Sequence, residues 1–496
     1  MSGLWQRLRL IEVEQRVFIL FVALLLLGGA GAALLRNPTL VLPGVLLAGG
    51  LVAFLEWRIL YYLLFFTLPF SQEIGLPGGL SMDVPSEPLM LVLTACVGLM
   101  FLLGKGRLDR RELLHPIIVV LALMLLWAGV DILFSVDTTK SIKYLLAKTW
   151  YITPFVFGTL LLVKRPAQVW QLVAVYAAGA CLSVLYVASR HATRGLAFAE
   201  INWAVHPFFR NHVIYATLLA ILIPYAWYAY RATSAKSARL AWLVALGLLL
   251  FGLLTSYTRA SILSLPVIAI FYVILRLRLT KALLLGAGLA AGGGAMYFMH
   301  ADNYMLYAPE FEKVVFNGKN FSRHLEATYN MQDVSGMERV YRWVAATRMI
   351  AEKPLLGSGP ATFYPEYKRY TVKSFRTYVS DNPEKSTTHN YFLLQLAEQG
   401  IPGFVLFLVL MTVTLLTAER LYHQTARHPA LRRVVLATTL SLVVIIFHLL
   451  LNELIEVDKI GSMFFVGLAV LIRVESWLAE ANRPMVNGQT SSTITI

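Results

Sequence analysis

Charged side chains are scarce in this chain, so those at the ends of its apolar blocks, or inside them, are the first candidates for chemistry. Lys148 lies within one such block (LLAKTWY) and Glu398 within another that begins at Tyr391. A charge in such surroundings is expensive and needs a partner, a polar cavity or a ligand. For Lys148, a phosphate contact is one such reason. For Glu398, tuning a site and clamping a neighbouring helix stand equal. Arg259 follows an apolar block directly in TSYTRAS. It is either an interfacial anchor that snorkels to headgroups or a functional cation. Arg210, with Asn211 and His212, opens another block and can meet an anionic headgroup. His389 and Asn390 stand where the chain enters its next block. Asn390 has the chemistry of a helix cap, and His389 titrates near neutrality and can carry a proton.

Two more arginines lie on an element that can position them. The stretch Gly336 to Glu352 (GMERVYRWVAATRMIAE) predicts an amphipathic helix, with Val340, Trp343, Val344, Thr347 and Ile350 on one face. Lys353-Pro354 ends it, because the residue before proline avoids the helical region. Arg339 and Arg342 then fall one turn apart, and Arg342 can pair with Glu338. A turn at Gly357-Ser358-Gly359-Pro360 follows, then Phe363, Tyr364, Tyr367 and Tyr370. The aromatics between Phe363 and Tyr378 can stack on sugar faces, although loop packing is the plainer reading.

These elements sit in a chain of 496 residues, of which 58% are hydrophobic and 14% charged. A soluble domain runs nearer a quarter charged. The apolar residues form blocks of roughly 20, the length that spans a bilayer core. The fold class is therefore an all-α integral membrane protein with about 12–14 transmembrane helices, among them blocks at 17–35, 39–56 and a short third at 59–70, whose pairing with the second is the least secure part of the count. Its organisation divides into transmembrane helices at 1–300, a large, partly helical loop at 301–388, further helices at 389–478, and a Ser/Thr-rich disordered tail at 479–496.

The formal net charge is +15, but the Lys and Arg residues cluster between apolar blocks. Clusters at Lys105–Arg111, Lys164-Arg165, Arg231–Arg239, Arg276–Lys281 and Arg420–Arg433 alternate with loops poorer in them. That is the positive-inside pattern, with the N-terminus, these clusters and the tail in the cytoplasm. The long segment and Arg259 then share the opposite face. No long basic run and no nucleic-acid motif is present, so nucleic acid is not a partner. Two cysteines, Cys96 and Cys181, imply neither a disulfide framework nor a metal site. P-loop, Rossmann, H-E-x-x-H and D-x-D signals are absent, which disfavours ATP-driven and nucleotide-sugar chemistry.

Arg259 in TSYTRAS, Arg339 and Trp343 as R-x-x-x-W ahead of KPLLGSGPATF, and the re-entry THNYFLLQLAEQGIPG together resemble the bacterial O-antigen ligase and polymerase superfamily. The recognisable residues lie mainly between about 211 and 403. One departure is Thr258-Arg259-Ala260, where a common family form has Ser-Arg-Gly. The resemblance implies transfer of a glycan from an undecaprenyl diphosphate carrier to a sugar hydroxyl at the periplasmic face of the bacterial inner membrane. The acceptor is lipid A–core for a ligase or a growing glycan for a polymerase. It implies a metal-independent, inverting C-type glycosyltransferase without a cofactor. Arg259 and Arg339 match the family's functional arginines, whose forks suit phosphate oxygens, and His389 matches its histidine, a base or an orienting group. Arg342, Trp343, Asn390, Lys148, Arg210 and Glu398 are the further substrate-binding candidates. One large loop favours ligase over polymerase. The rival from another class is a lipid or glycan transporter, against which stand the length of the loop and the lack of matching broken helices.

Overall fold

The computed structural model describes Gly50 and residues 56–76, 80–307, 334–372 and 387–482. The span expected at 17–35, nearly all of that at 39–56, Tyr378 and the tail after 482 lie outside the described residues.

Helices dominate, because in lipid a backbone must satisfy its polar groups within the segment. A short helix α1 (Trp57–Thr67) leads into an antiparallel pair, β1 (Gln72–Leu76) and β2 (Leu80–Val84), with Glu73 opposite Asp83. There follow α2 (Ser86–Leu102), α3 (Pro116–Asp131), α4 (Thr138–Ile152), α5 (Pro166–Ala192), α6 (His212–Ala232), α7 (Lys236–Thr255), α8 (Arg259–Arg276) and α9 (Thr280–Met299). Next come α10 (Val334–Glu352), α11 (Tyr391–Gln424), α12 (Pro429–Leu449) and α13 (Asp458–Ala481). Among the described residues, 10 helices are long and apolar enough to cross a membrane, and Trp57–Phe70 and Ser86–Leu102 are shorter apolar ones. The chain is thus an all-α integral membrane protein.

Lipid tails are as apolar as leucine, so close backbone approach and polar bonds, rather than water exclusion, hold such helices together. The centre shows both devices. Gly252 on α7 leaves no room for a Cβ, which would meet the Tyr215 hydroxyl at 2.6 Å. Ser441 on α12 donates to the Ile221 carbonyl on α6 at 2.7 Å. By this packing α13, α6 and α12 are the core, with 83, 78 and 72% of their apolar windows buried, while α9 has 0% and lies wholly on the surface.

The two ends of the bundle are bonded separately. At the basic end Arg473 pairs with Glu112, His115 meets Glu475 at 3.3 Å and His423 meets the Leu275 carbonyl at 3.0 Å. At the opposite end, Val136 donates to the Ser358 carbonyl at 3.0 Å, Thr258 to that of His212 at 3.3 Å, and Ser86 bonds Asp458. The expected helix α10 and the segment that follows it belong to this second end.

Candidate active site

The re-entry of the chain builds the site. Asn390 caps α11, its side-chain oxygen accepting the Leu393 N–H at 3.0 Å. His389, one residue earlier, has φ +53°, a left-handed conformation uncommon for a residue with a side chain. Two side chains of α10 hold the backbone on its N-terminal side. Arg342 donates through Nη1 to the Thr387 carbonyl at 3.3 Å, and Trp343 through Nε1 to the Thr388 carbonyl at 2.9 Å. Arg342 also pairs through Nη2 with Glu338 at 3.3 Å, as their spacing of four on a helix allows. Trp343 is therefore occupied in holding the segment that carries His389.

On the far side of His389 stands the connection from α12 to α13, residues 450–457, whose polar groups the sequence reading passed over. His389 Nδ1 lies 3.2 Å from Asn452 Oδ1. The neighbouring Glu453 carries a buried carboxylate oxygen, Oε2, without a hydrogen-bond partner. Burial pushes the His389 imidazole below its ordinary value; Glu453 opposes this, Arg342 and Arg339 reinforce it, and the Asn452 bond opposes it. Two arginines and one carboxylate therefore act on the histidine at this point. The only hint in the sequence was density: Asn452, Glu453, Glu456 and Asp458 fall within seven residues between two apolar blocks.

Arg259 begins α8 and is joined to the same corner through its neighbours. Ser261 Oγ lies 2.9 Å from His448 Nε2, and the His448 carbonyl accepts the Asn452 N–H at 2.7 Å. Arg210 is exposed and precedes Asn211, which caps α6 by accepting the Val213 and Ile214 N–H groups at 3.1 Å each. The Thr258–His212 bond brings the starts of α6 and α8 together.

Lys148 and Glu398 have found protein partners. The Lys148 ammonium lies 2.7 Å from Glu456 Oε1, so the charge that a phosphate contact was invoked to explain has a counter-ion in the chain. The Glu398 carboxylate accepts two backbone N–H groups, those of Ala361 at 3.0 Å and Phe363 at 2.9 Å. These bonds tie the start of α11 to the returning loop. Phe363 and Tyr367 are fully buried and stacked on each other, 5.2 Å between centroids, so these two rings pack the loop.

α11 itself is broken. Gly400 has φ 64° and ψ −169° within it, a conformation essentially confined to glycine. A Cβ there would stand 2.1 Å from the Leu355 carbonyl oxygen, and one on Gly357 would stand 2.4 Å from that of Glu398. The 34 residues of α11 would measure about 51 Å unbroken, against a bilayer core of about 30 Å. The stretch after the break is long enough to cross alone, and Glu398 belongs to the stretch before it.

Beside these groups, α3, α4, α11 and α13 line a small, mostly apolar crevice, bordered among others by Met124, Tyr144, Lys148, Tyr391 and Phe464. Among the described residues no three His, Cys, Asp or Glu side chains are grouped to hold a metal ion.

Comparison with known proteins gives one family. The O-antigen ligase family model matches residues 244–408, from within α7 to past the α11 break, and so takes in Arg259, Arg339 and His389. No curated protein matches the chain at a significant level. The chain is thus a multi-pass membrane protein that, over residues 244–408, about a third of its length, is similar to the O-antigen ligase family.

Proposed function

We propose that this protein is an O-antigen ligase-like glycosyltransferase. It moves a glycan from an undecaprenyl diphosphate carrier to a sugar hydroxyl of lipid A–core, at the periplasmic face of the bacterial inner membrane. The observation that carries the reading is the placement of His389 at the start of α11, on a segment whose backbone Arg342 and Trp343 of α10 hold, one turn from Arg339. In the reaction the acceptor hydroxyl oxygen attacks the anomeric carbon from the face opposite the diphosphate. The bond from that carbon to the diphosphate oxygen breaks, and its electron pair leaves with the lipid. His389 takes the hydroxyl proton; an imidazole held neutral by burial and by nearby arginines suits that task. Arg339 and Arg259 meet the charge that develops on the departing diphosphate, where fixed cations act most strongly.

The test is transfer by the purified protein, given undecaprenyl diphosphate-linked oligosaccharide with and without lipid A–core and resolved on a gel. A single shifted band that requires lipid A–core is the expected result. A ladder formed from donor alone would make it a polymerase of the same superfamily. Donor left unchanged with every acceptor, together with donor movement across vesicles, would replace the enzyme with a transporter.

A further inference from the structure

The connection between α12 and α13 meets the re-entry segment at two rungs. His389 bonds Asn452, and two residues on, the Tyr391 hydroxyl donates to Glu456 Oε1 at 2.7 Å. Asn452 is itself fixed, because its N–H is held by the carbonyl of His448 at the end of α12, and the His448 ring is held by Ser261 and by the Val444 carbonyl at 2.8 Å. The Asn452 side chain thus faces His389 from an anchored backbone.

We propose that Asn452 is a positioning residue for His389, fixing which ring nitrogen carries the proton; this rests on the reading of His389 as the base. A neutral imidazole has one N–H and one lone pair, and the partner of one nitrogen decides the role of the other. The Asn452 Oδ1 accepts a proton only from Nδ1–H, which leaves the lone pair on Nε2 to receive the acceptor's proton. An amide does this without adding charge. A carboxylate in its place would favour the imidazolium and withdraw the base at working pH. The charged groups that face the ring are Arg339 and Arg342 from α10 and Glu453 from the connection, and their opposed effects leave the imidazole below its ordinary value. The single added charge of Asn452→Asp would tip that balance.

Transfer by the full-length protein is measured against pH for wild type, Asn452→Asp, Asn452→Leu and His389→Ala, with a thermal melt of each. Asn452→Leu keeps the branching at Cγ and loses the acceptor. Its kcat should fall about 10- to 100-fold, part of the 10²–10⁴ that a positioned base supplies, with KM for the acceptor little changed. Asn452→Asp should lose activity at working pH and recover it at higher pH, its acid limb being displaced upward. Wild-type kcat in Asn452→Leu, or an unmoved limb in Asn452→Asp, overturns the proposal while His389→Ala still tests the base itself. Full transfer by His389→Ala removes the base reading and this inference with it. Histidine-¹⁵N spectra give a second readout that does not depend on turnover, with His389→Ala assigning the signal. The proton is expected on Nδ1 in wild type and a mixture in Asn452→Leu; a proton on Nε2 in wild type overturns the proposal outright.

Discussion

Lys148 and Tyr391 share one acceptor, Oε1 of Glu456, each at 2.7 Å. Lys148 comes from α4, Tyr391 opens α11 and Glu456 precedes α13, so one carboxylate ties three elements together two residues from His389. The ammonium is thereby a counter-ion before it can be anything else.

Lys148→Met should therefore destabilise the protein. Breaking a buried pair costs about 3–5 kcal/mol. The Glu456 side chain is 33% exposed, however, and solvent screening brings the expectation to about 1–3 kcal/mol. Adding Glu456→Gln should restore most of the loss, read by thermal unfolding in detergent. A donor KM that stays raised in the restored double variant would instead assign Lys148 a phosphate contact.

Gly400→Ala should be worse than its size suggests. The backbone angles there cost a residue with a side chain about 1–3 kcal/mol, and the new methyl group must also displace the Leu355 carbonyl. The loop 354–363 would lose its seat, including the two N–H groups that Glu398 accepts. The expected result is a lowered melting temperature together with faster proteolysis in that loop. Unchanged protection would mean that the Glu398 bonds, with those of the Ser358 and Gly359 N–H groups to the Ala397 and Glu398 carbonyls, suffice to hold it.

Local signals were legible in the sequence, and distant ones were not. Helix ends could be read because block length and charge clusters record the bilayer directly. The Arg342–Glu338 pair could be read because helical spacing dictates it. Asn452 could not, because it becomes a partner of His389 only across 63 residues, once α12 and α11 have packed. The partner of Lys148 lies 308 residues away for the same reason. Glu398 lay in an apolar block, and hydropathy cannot see that a glycine breaks the helix two residues later and that a loop returns to that point.

Asp83 gives a pH prediction separate from catalysis. It lies on β2, beside Glu73 on the paired strand, Glu87 on α2, and Asp458 and Lys459 at the start of α13. Burial, then Asp458, push its carboxyl from 3.8 up to about 7, and Lys459 opposes them. A raised carboxyl binds its proton more tightly in the folded state. Its contribution to stability is complete below the ordinary value and is lost as pH rises through about 7. Asp83→Asn should flatten the fall in melting temperature between about pH 5 and 8, by about 2–4 °C for each kcal/mol removed. An identical slope in the variant would place the titration elsewhere.

Arg339 and Arg342 lie one turn apart on α10, and different roles are proposed for them. The Arg342 pair with Glu338 is buried, with side-chain exposures of 6 and 7%. Arg342→Met leaves that carboxylate uncompensated, so its first effect should be on folding, about 3–5 kcal/mol, and Glu338→Gln should recover much of it. Arg339, read as a cation for the leaving diphosphate, should act on turnover. Arg339→Ala is expected to lower kcat by about 10²–10³, the scale of one lost charge-stabilising donor. Arg339→Lys should recover only part, since an ammonium keeps the charge and loses the fork. The comparison that decides is the stability-restored Glu338→Gln/Arg342→Met protein. If it transfers glycan nearly as well as wild type, Arg342 is a scaffold for the segment that carries His389. If it is as inactive as Arg339→Ala, both guanidinium groups serve the leaving group, and the assignment to Arg339 alone fails.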